Sequence, residues 1–432
     1  MIAFLFILLI GLALIYINVS SVAKGKTGKI IGAAVLFVLF LGMFLRSTLI
    51  GSLIVTFFAV WLPNSLIVYI PWTLYRVIYY FTQPHHLSRH LVRRVARYLL
   101  GITCAFTFIF IGYGMQHNDE YKTNLITIEL PSQHNENFTA IFFSDIHVDP
   151  LFNAQKLERL ITQVDSIKPD YLLFGGDLAD ITTEKMDRMG YDTLFKKLTA
   201  GAKVAAVAIN GNHEAFMAGS GNNPEEWMRK VGFVVLDDST ACLGSACFTG
   251  RTDFMVSRSR DVERKPLAEL IPDSIKIVEH VKDSTDSLAN SIADSTATNT
   301  AVNATAVATQ DSTADTAAVA TVTYDTVVVY RPWILMDHQP KGIEKTHAGR
   351  LPDFALSGHT HNGQFFPATV IIDFVWKLAY GKGALGGVLW LVSSGFDCWG
   401  PPVRLGSDSE IWVIKFKPKE YNSSQDEMFD SN

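Results

Sequence analysis

The sequence predicts an α/β layered domain carried behind an N-terminal bundle of about four membrane-spanning helices. Three observations lead there. Over residues 1–117 the apolar side chains run in long blocks, whereas from Leu125 onward they come in short strand-like runs that alternate with helical periodicity. Five short polar clusters rich in Asp, His and Asn each follow directly on one of those apolar runs. At 432 residues, 48% hydrophobic and net charge -5, the chain has room for one large folded domain in addition to the membrane region.

Apolar stretches near 2–19, 30–46, 50–72 and 98–115 are about as long as a bilayer crossing needs. The third is interrupted by Pro63 and Asn64. The first lacks a charged leading segment and the next follows closely, so it reads as a retained anchor and not as a cleaved signal. Lys24, Lys26 and Lys29 lie between the first two spans, and Arg89, Arg93, Arg94 and Arg97 precede the last; such loops stay cytoplasmic. With four spans, everything after Met115 is then expected outside the cytoplasm, in a multi-pass protein of a bacterial inner membrane. The spans carry few ionisable residues, which favours an anchor over a transporter.

Residues 118–420 form the expected soluble domain. Phe138–Phe143 reads as a strand, Asn153 as the N-cap of a helix that Pro169 stops, and Tyr171–Phe174 as a buried strand. A second helix holds Leu194, Phe195 and Leu198 and ends at Gly201; Val204–Ile209 is a strand, and Asn223 and Pro224 open a short helix closed by Gly232. Residues 281–325 are Ser, Thr, Ala, Asn and Asp with almost no large apolar side chains, so a disordered insertion is expected there, and a mobile tail over 421–432. Val327–Leu335 and Phe354–Leu356 are the next strands. Cys242 and Cys247 flank Gly244 and read equally as a bridged tight loop or as two small buried residues.

The polar clusters are Asp145 and His147; Asp177 and Asp180; Asn212 and His213; His338; and His359 and His361. Singly, each has a bland reading, such as a loop histidine or, for Asp180, a helix N-cap. Together they are a mixed set of carboxylate, imidazole and amide oxygen, suited to Mn, Fe or Zn and poor for Ca. There are too many donors for one ion. Two cations about 3.5–4 Å apart need a bridging anion, and Asp177, at a turn marked by Gly175 and Gly176, suits that part. Such a pair polarises water to hydroxide at neutral pH and clamps phosphoryl oxygens.

These residues resemble the motif set of the calcineurin-like metallophosphoesterases: Asp145-Ile146-His147, Gly176-Asp177-Leu178-Ala179-Asp180, Gly211-Asn212-His213-Glu214, His338 and Gly358-His359-Thr360-His361, in that order. The stretch from Ser393 through Trp399 to Gly406 is similar to the membrane-tethered, YkuE-type branch. The resemblance implies a four-layer α-β-β-α sandwich that hydrolyses a phosphomonoester, phosphodiester or pyrophosphate. It implies one divalent metal held by Asp145, His147, Asp177 and His361, and a second by Asp177, Asn212, His338 and His359. His213 would donate to the leaving-group oxygen, with Asp180 orienting its ring.

Two positions depart from the wider family. Ile181 stands where protein phosphatases of the family place an arginine, which argues against a phosphoprotein substrate. Arg404 is a candidate to replace that phosphate grip, or else a surface ion-pair residue. Glu214 is assigned no chemical part. The apolar segment from Phe365 to Tyr380 reads as a core helix and hairpin or, more sharply, as the lining of a site beside the bilayer for a lipid-linked or cell-envelope phosphoester. The alternatives are an inert metal-binding membrane sensor or adaptor and a UDP-diacylglucosamine-type pyrophosphate hydrolase; no nucleic-acid partner is expected.

Overall fold

Four apolar helices open the chain: α1 (Ile2–Ser20), α2 (Gly25–Phe44), α3 (Leu49–Thr82) and α4 (Arg89–Asp119). This is a computed structural model, and it describes residues 2–130, 137–218, 222–272, 276–281, 324–329 and 331–419. Helices α2, α3 and α4 are each long and apolar enough to cross a membrane, and Leu9–Ser20 of α1 is a shorter apolar helix. The third span is longer than its sequence suggests. Pro63 and Pro71 lie inside α3 without ending it, because Trp61 Nε1 bonds Thr103 Oγ1 of α4 at 3.2 Å and packing on the neighbouring helices holds the turn together. The fourth likewise begins early, where Ser88 caps Leu91 N–H.

After α4 come the strands β1 (Tyr121–Leu130) and β2 (Phe138–Phe143), helix α5 (Ala154–Ile167), β3 (Tyr171–Phe174), helices α6 (Thr183–Arg188) and α7 (Tyr191–Ala200), and β4 (Ala205–Ile209). Next are α8 (Asn212–Ala218), α9 (Pro224–Lys230), β5 (Val234–Leu236), β6 (Ser239–Leu243), β7 (Ala246–Gly250) and α10 (Phe254–Arg260). The chain continues through β8 (Lys276–Val281), β9 (Tyr324–Val329), β10 (Trp333–Met336), β11 (Phe354–Ser357), α11 (Ala368–Val375), β12 (Gly381–Leu385), β13 (Val388–Val392) and β14 (Ser409–Pro418).

Ten of these strands and two hairpin edges make two six-stranded sheets, in the orders β1-β14-β2-β3-β4-β5 and β12-β13-β11-β10-β7-β6. Strands β2 to β5 run parallel, as do β7, β10, β11 and β13. The sheets face each other across Phe142, Leu173, Val207, Phe248, Met336 and Leu356, all buried. Alternation along β3 does the sorting: Tyr171 and Leu173 enter this inner layer, while Leu172 and Phe174 face Leu157, Leu160, Phe195 and Trp227 of the covering helices α5, α7 and α9. On the outer side of the second sheet, Leu267 and Leu270 of a single 3₁₀ turn pack on Trp333 and Trp390.

Several expectations are resolved by this frame. Asn153 caps α5 through Gln155 N–H, and Lys168 turns left-handed at its end. Val327–Leu335 is not one strand: β9 pairs with β8, and β10 joins the second sheet after Pro332, which has no N–H to give a central ladder. Cys242 and Cys247 are disulfide-bonded across the β6–β7 hairpin. The segment after the last histidine does not pack as a core helix. Helix α11 has no buried residue and Phe374 is 86% exposed, although β12 and β13 form the expected hairpin. The insertion expected to be disordered lies, over 282–323, outside the described residues, as does the tail from 420.

Candidate metal centre

Each polar cluster sits at the carboxyl end of a parallel strand: Asp145 after β2, Asp177 after β3, Asn212 and His213 after β4, His338 after β10, and His359 and His361 after β11. Two sheets therefore deliver the donors to one edge, where open α/β sheets hold ligands. The turns are tight. Asp145, His147, Asp177, His359 and His361 all have positive φ, between 46° and 72°, a strained region for non-glycine residues. Neighbouring turns hold them there: Asp145 N–H donates to Gly176 O at 2.9 Å and His147 N–H to Asp177 O at 3.1 Å. At Gly358 a Cβ would stand 2.2 Å from Asp145 Oδ2, so only glycine lets these two loops meet.

The donor atoms fall into overlapping groups. Asp145, His147 and His361 bring one ligand atom each within 4.8 Å of one another, as do His147, Asp177 and His213, and as do Asp177, His338 and His359. Asp177 Oδ2 is 3.5 Å from His147 Nε2 and 3.2 Å from His338 Nε2, so one oxygen lies between the first group and the third. Asn212 Oδ1 is 2.7 Å from His359 Nδ1. His338 Nδ1 donates to Gly175 O at 2.8 Å, which turns Nε2 inward. Asp180 bonds His213 Nδ1 and lies 3.5 Å from His147 Nδ1. It does not cap the next helix, because Thr182 does.

The chemistry of this donor set fits cations. His147 and His361 point Nε2 at each other across 3.2 Å, and His338 Nε2 is buried without hydrogen-bond geometry to any partner. Burial, with His338 beside it, pushes His359 down to about 3, and burial next to His147 holds His361 well below its usual range, so both imidazoles are neutral and ligand-ready. Burial also opposes charge on His147, yet Asp180, Asp177 and Asp145 overcome it and raise that imidazole to about 9. Asp177 and Asp145 do the same for His338. The carboxylates thus favour positive charge at His147 and His338, and a bound metal would replace those protons.

Two residues differ from their sequence reading. Arg404 is fully buried and donates to Ser394 O at 2.6 Å, Asp397 O at 2.8 Å, Ser407 Oγ at 3.0 Å and His361 O at 3.3 Å. That excludes a surface ion pair and commits its Nη donors to the loops behind the pocket, not to a phosphate. Glu214, assigned nothing from sequence, accepts from Gly211 N at 2.5 Å, Leu178 N at 2.6 Å and Asp177 N at 3.1 Å. Sequence reasoning also missed the join to the bundle. Buried Lys156 Nζ reaches Asn118 O of α4 at 2.5 Å, Asp397 Oδ2 at 3.1 Å and Ser409 Oγ at 3.2 Å; only an apolar-face lysine in an amphipathic helix hinted at it.

Two facing mixed sheets with an Asp/His pocket at their shared carboxyl edge define the metallophosphoesterase class. The chain belongs to the calcineurin-like phosphoesterase family, whose model matches residues 138–363. It is 25% identical over 281 residues to an uncharacterized metallophosphoesterase of Helicobacter pylori, covering 65% of this chain and 60% of that one. It is 23% identical over 322 residues to a transmembrane protein with metallophosphoesterase domain of Danio rerio, covering 72% and 61%. Over 79 residues, 18% of this chain and 27% of the other, it is 29% identical to the uncharacterized metallophosphoesterase YkuE of Bacillus subtilis. The chain thus spans about three fifths of the length of the first two relatives.

Proposed function

We propose that this protein is a membrane-anchored, dinuclear phosphoesterase acting on a lipid-linked phosphoester at the bilayer surface. The position of Asp177 Oδ2 between the two histidine groups carries the dinuclear reading. One cation would be held by Asp145, His147, Asp177 and His361 and the other by Asp177, Asn212, His338 and His359. When bound, such a pair supplies a nucleophile at neutral pH and charge to stabilise the phosphoryl oxygens. The chain's own residues do the rest. Asp180 fixes His213 through Nδ1, which leaves Nε2 to hold a proton for the departing oxygen. His213 N–H donates to Asp177 Oδ1 at 2.8 Å and so ties the proton donor to the bridging carboxylate. Arg404 is a positioning residue that keeps the His361 loop against the Ser394–Asp397 loop.

Two features favour a lipid-linked substrate. Phe366, Val370, Ile371, Phe374 and Val375 present a contiguous apolar surface just beyond His361, and Trp376 packs edge-on against His359 with ring centroids 5.3 Å apart. Beside it, a cavity of about 380 Å³ is walled by Ile67 of α3, Ile102 and Phe106 of α4, and Phe365, Phe366 and Leu405 of the site loops. Leu405 N–H bonds Gln364 O at 3.0 Å, so these loops share a backbone frame with the metal pocket. Space for a hydrocarbon chain thus adjoins the pocket for its phosphate. The Cys242–Cys247 disulfide and the basic short loops support an extracytoplasmic domain.

The test is the purified full chain in detergent, with metal content measured and Mn, Fe and Zn supplied in turn. We expect about two ions per chain and turnover of 4-nitrophenyl phosphate or a 4-nitrophenyl diester, with a lipid phosphoester favoured. Two bound ions without any turnover would instead support the sensor reading.

A further inference from the structure

Residues 1–118 contain nine lysines and arginines and no aspartate or glutamate. The basic groups are not spread evenly. The α1–α2 turn, the end of α3 and the start of α4 gather Lys24, Arg76, His86, Arg89 and Arg93 around a cavity of about 1050 Å³. Arg76 Nη1 is buried there without a hydrogen-bond partner. Tyr80 stacks on His86 with ring centroids 4.9 Å apart, which fixes one wall. Helix α3 is 34 residues long. At a rise of about 1.5 Å per residue, Arg76 lies about 40 Å from the Leu49 end of α3, which meets the soluble domain. Among the described residues, none of those lining the pocket is a carboxylate, and Asp119 lies at the far end of α4. Nothing among the described residues supplies the anion this pocket calls for.

We propose that this pocket binds the phosphate headgroup of an anionic phospholipid in the leaflet opposite the soluble domain. Guanidinium forks from Arg76, Arg89 and Arg93 match phosphate oxygens in pairs. The remaining walls include Ile17, Val77, Tyr80 and Phe81, so the same site receives the beginning of an acyl chain, which a free phosphate lacks. Anionic lipid is concentrated where basic loops reside. The inference does not depend on the hydrolase reading.

The full chain is purified from nanodiscs of phosphatidylcholine with and without phosphatidylglycerol, and retained lipid and Tm are measured. Phosphatidylglycerol should be retained selectively and should raise Tm. Removing two pocket charges in Arg76→Gln/Arg93→Gln should lower its retention about thirtyfold. Arg76→Lys/Arg93→Lys, which keeps the charge but loses the fork, should fall between the glutamine pair and the unaltered protein, and Lys26→Gln/Lys29→Gln, outside the pocket, should change it little. Should Arg76→Gln/Arg93→Gln fail to fold, Arg93→Gln alone is compared with Lys26→Gln. Equal retention of the two lipids by the unaltered protein would overturn the site, as would an equal loss on substituting Lys26 and Lys29. Complete displacement of phosphatidylglycerol by millimolar inorganic phosphate would overturn the lipid assignment.

Discussion

Glu214 holds Asp177 through the backbone: its Oε2 accepts from Asp177 N–H at 3.1 Å, and its Oε1 from Leu178 N–H at 2.6 Å. One carboxylate from α8 thereby fixes the left-handed turn after β3 that aims the Asp177 side chain, and through Gly211 N–H it closes its own loop. Glu214→Ala should leave three buried N–H donors unpaired and cost about 3 kcal/mol or more. Metal affinity should fall about 10- to 100-fold, as expected for a residue that orients a ligand from behind. Denaturant unfolding and metal titration measure the two effects, and an unaltered metal affinity would remove Glu214 from the site.

On the proposed reading, Asp177 and His359 are metal ligands whereas His213 and Asp180 act on the proton. Asp177→Asn and His359→Ala should lose bound metal and activity while the far-UV signal and the cooperative unfolding transition persist. His213→Gln and Asp180→Asn should keep the metals but lower kcat by about 10²- to 10⁴-fold with little change in KM. Loss of metal from Asp180→Asn would mean that its contact with His147 outweighs its contact with His213.

Lys156 joins α4 to the soluble domain through Asn118 and Asp397, inside a region closed to solvent. Burial lowers its ammonium pKa although Asp397 opposes that shift. Lys156→Met removes the ammonium paired with the buried Asp397 carboxylate, leaving only Arg404, which holds Asp397 by its carbonyl, and should destabilise the full chain by about 3 kcal/mol. Lys156→Met/Asp397→Asn should recover much of that loss, because the uncompensated charge is gone. Urea unfolding of the two variants makes the comparison; equal stability of both would argue that the pair has no electrostatic content.

The legible part of the sequence was the part written in short-range pattern. Apolar runs ending in Asp145, Asp177, Asn212, His338 and His359 became strand ends on a shared edge because buried parallel strands have few other ways to terminate. What stayed hidden depends on partners far along the chain. Arg404 looks like an exposed phosphate ligand until the carbonyls of Ser394, Asp397 and His361 close around it. Pro63 looks like a helix break until Trp61 and Thr103 show what supports the turn. The segment from Phe365 to Tyr380 was ambiguous for another reason: an apolar helix has one composition whether it faces a core or a bilayer.

Helix α11 provides the sharpest test of the lipid reading, because exposed apolar side chains contribute little to stability. Phe374→Ser and Val370→Ser should change unfolding free energy by no more than about 0.5 kcal/mol. Both side chains should nevertheless matter to catalysis at a membrane, since each removes apolar area from the surface that meets the acyl region. Ile102→Trp, which fills the neighbouring cavity, acts on the same step from the other wall. For all three, kcat/KM on a long-chain 4-nitrophenyl alkyl phosphate should fall relative to that on its butyl analogue by about tenfold, the size of one lost apolar side-chain contact. An unchanged ratio across the set would mean that the hydrocarbon part of the substrate never touches this surface, leaving α11 a membrane anchor alone.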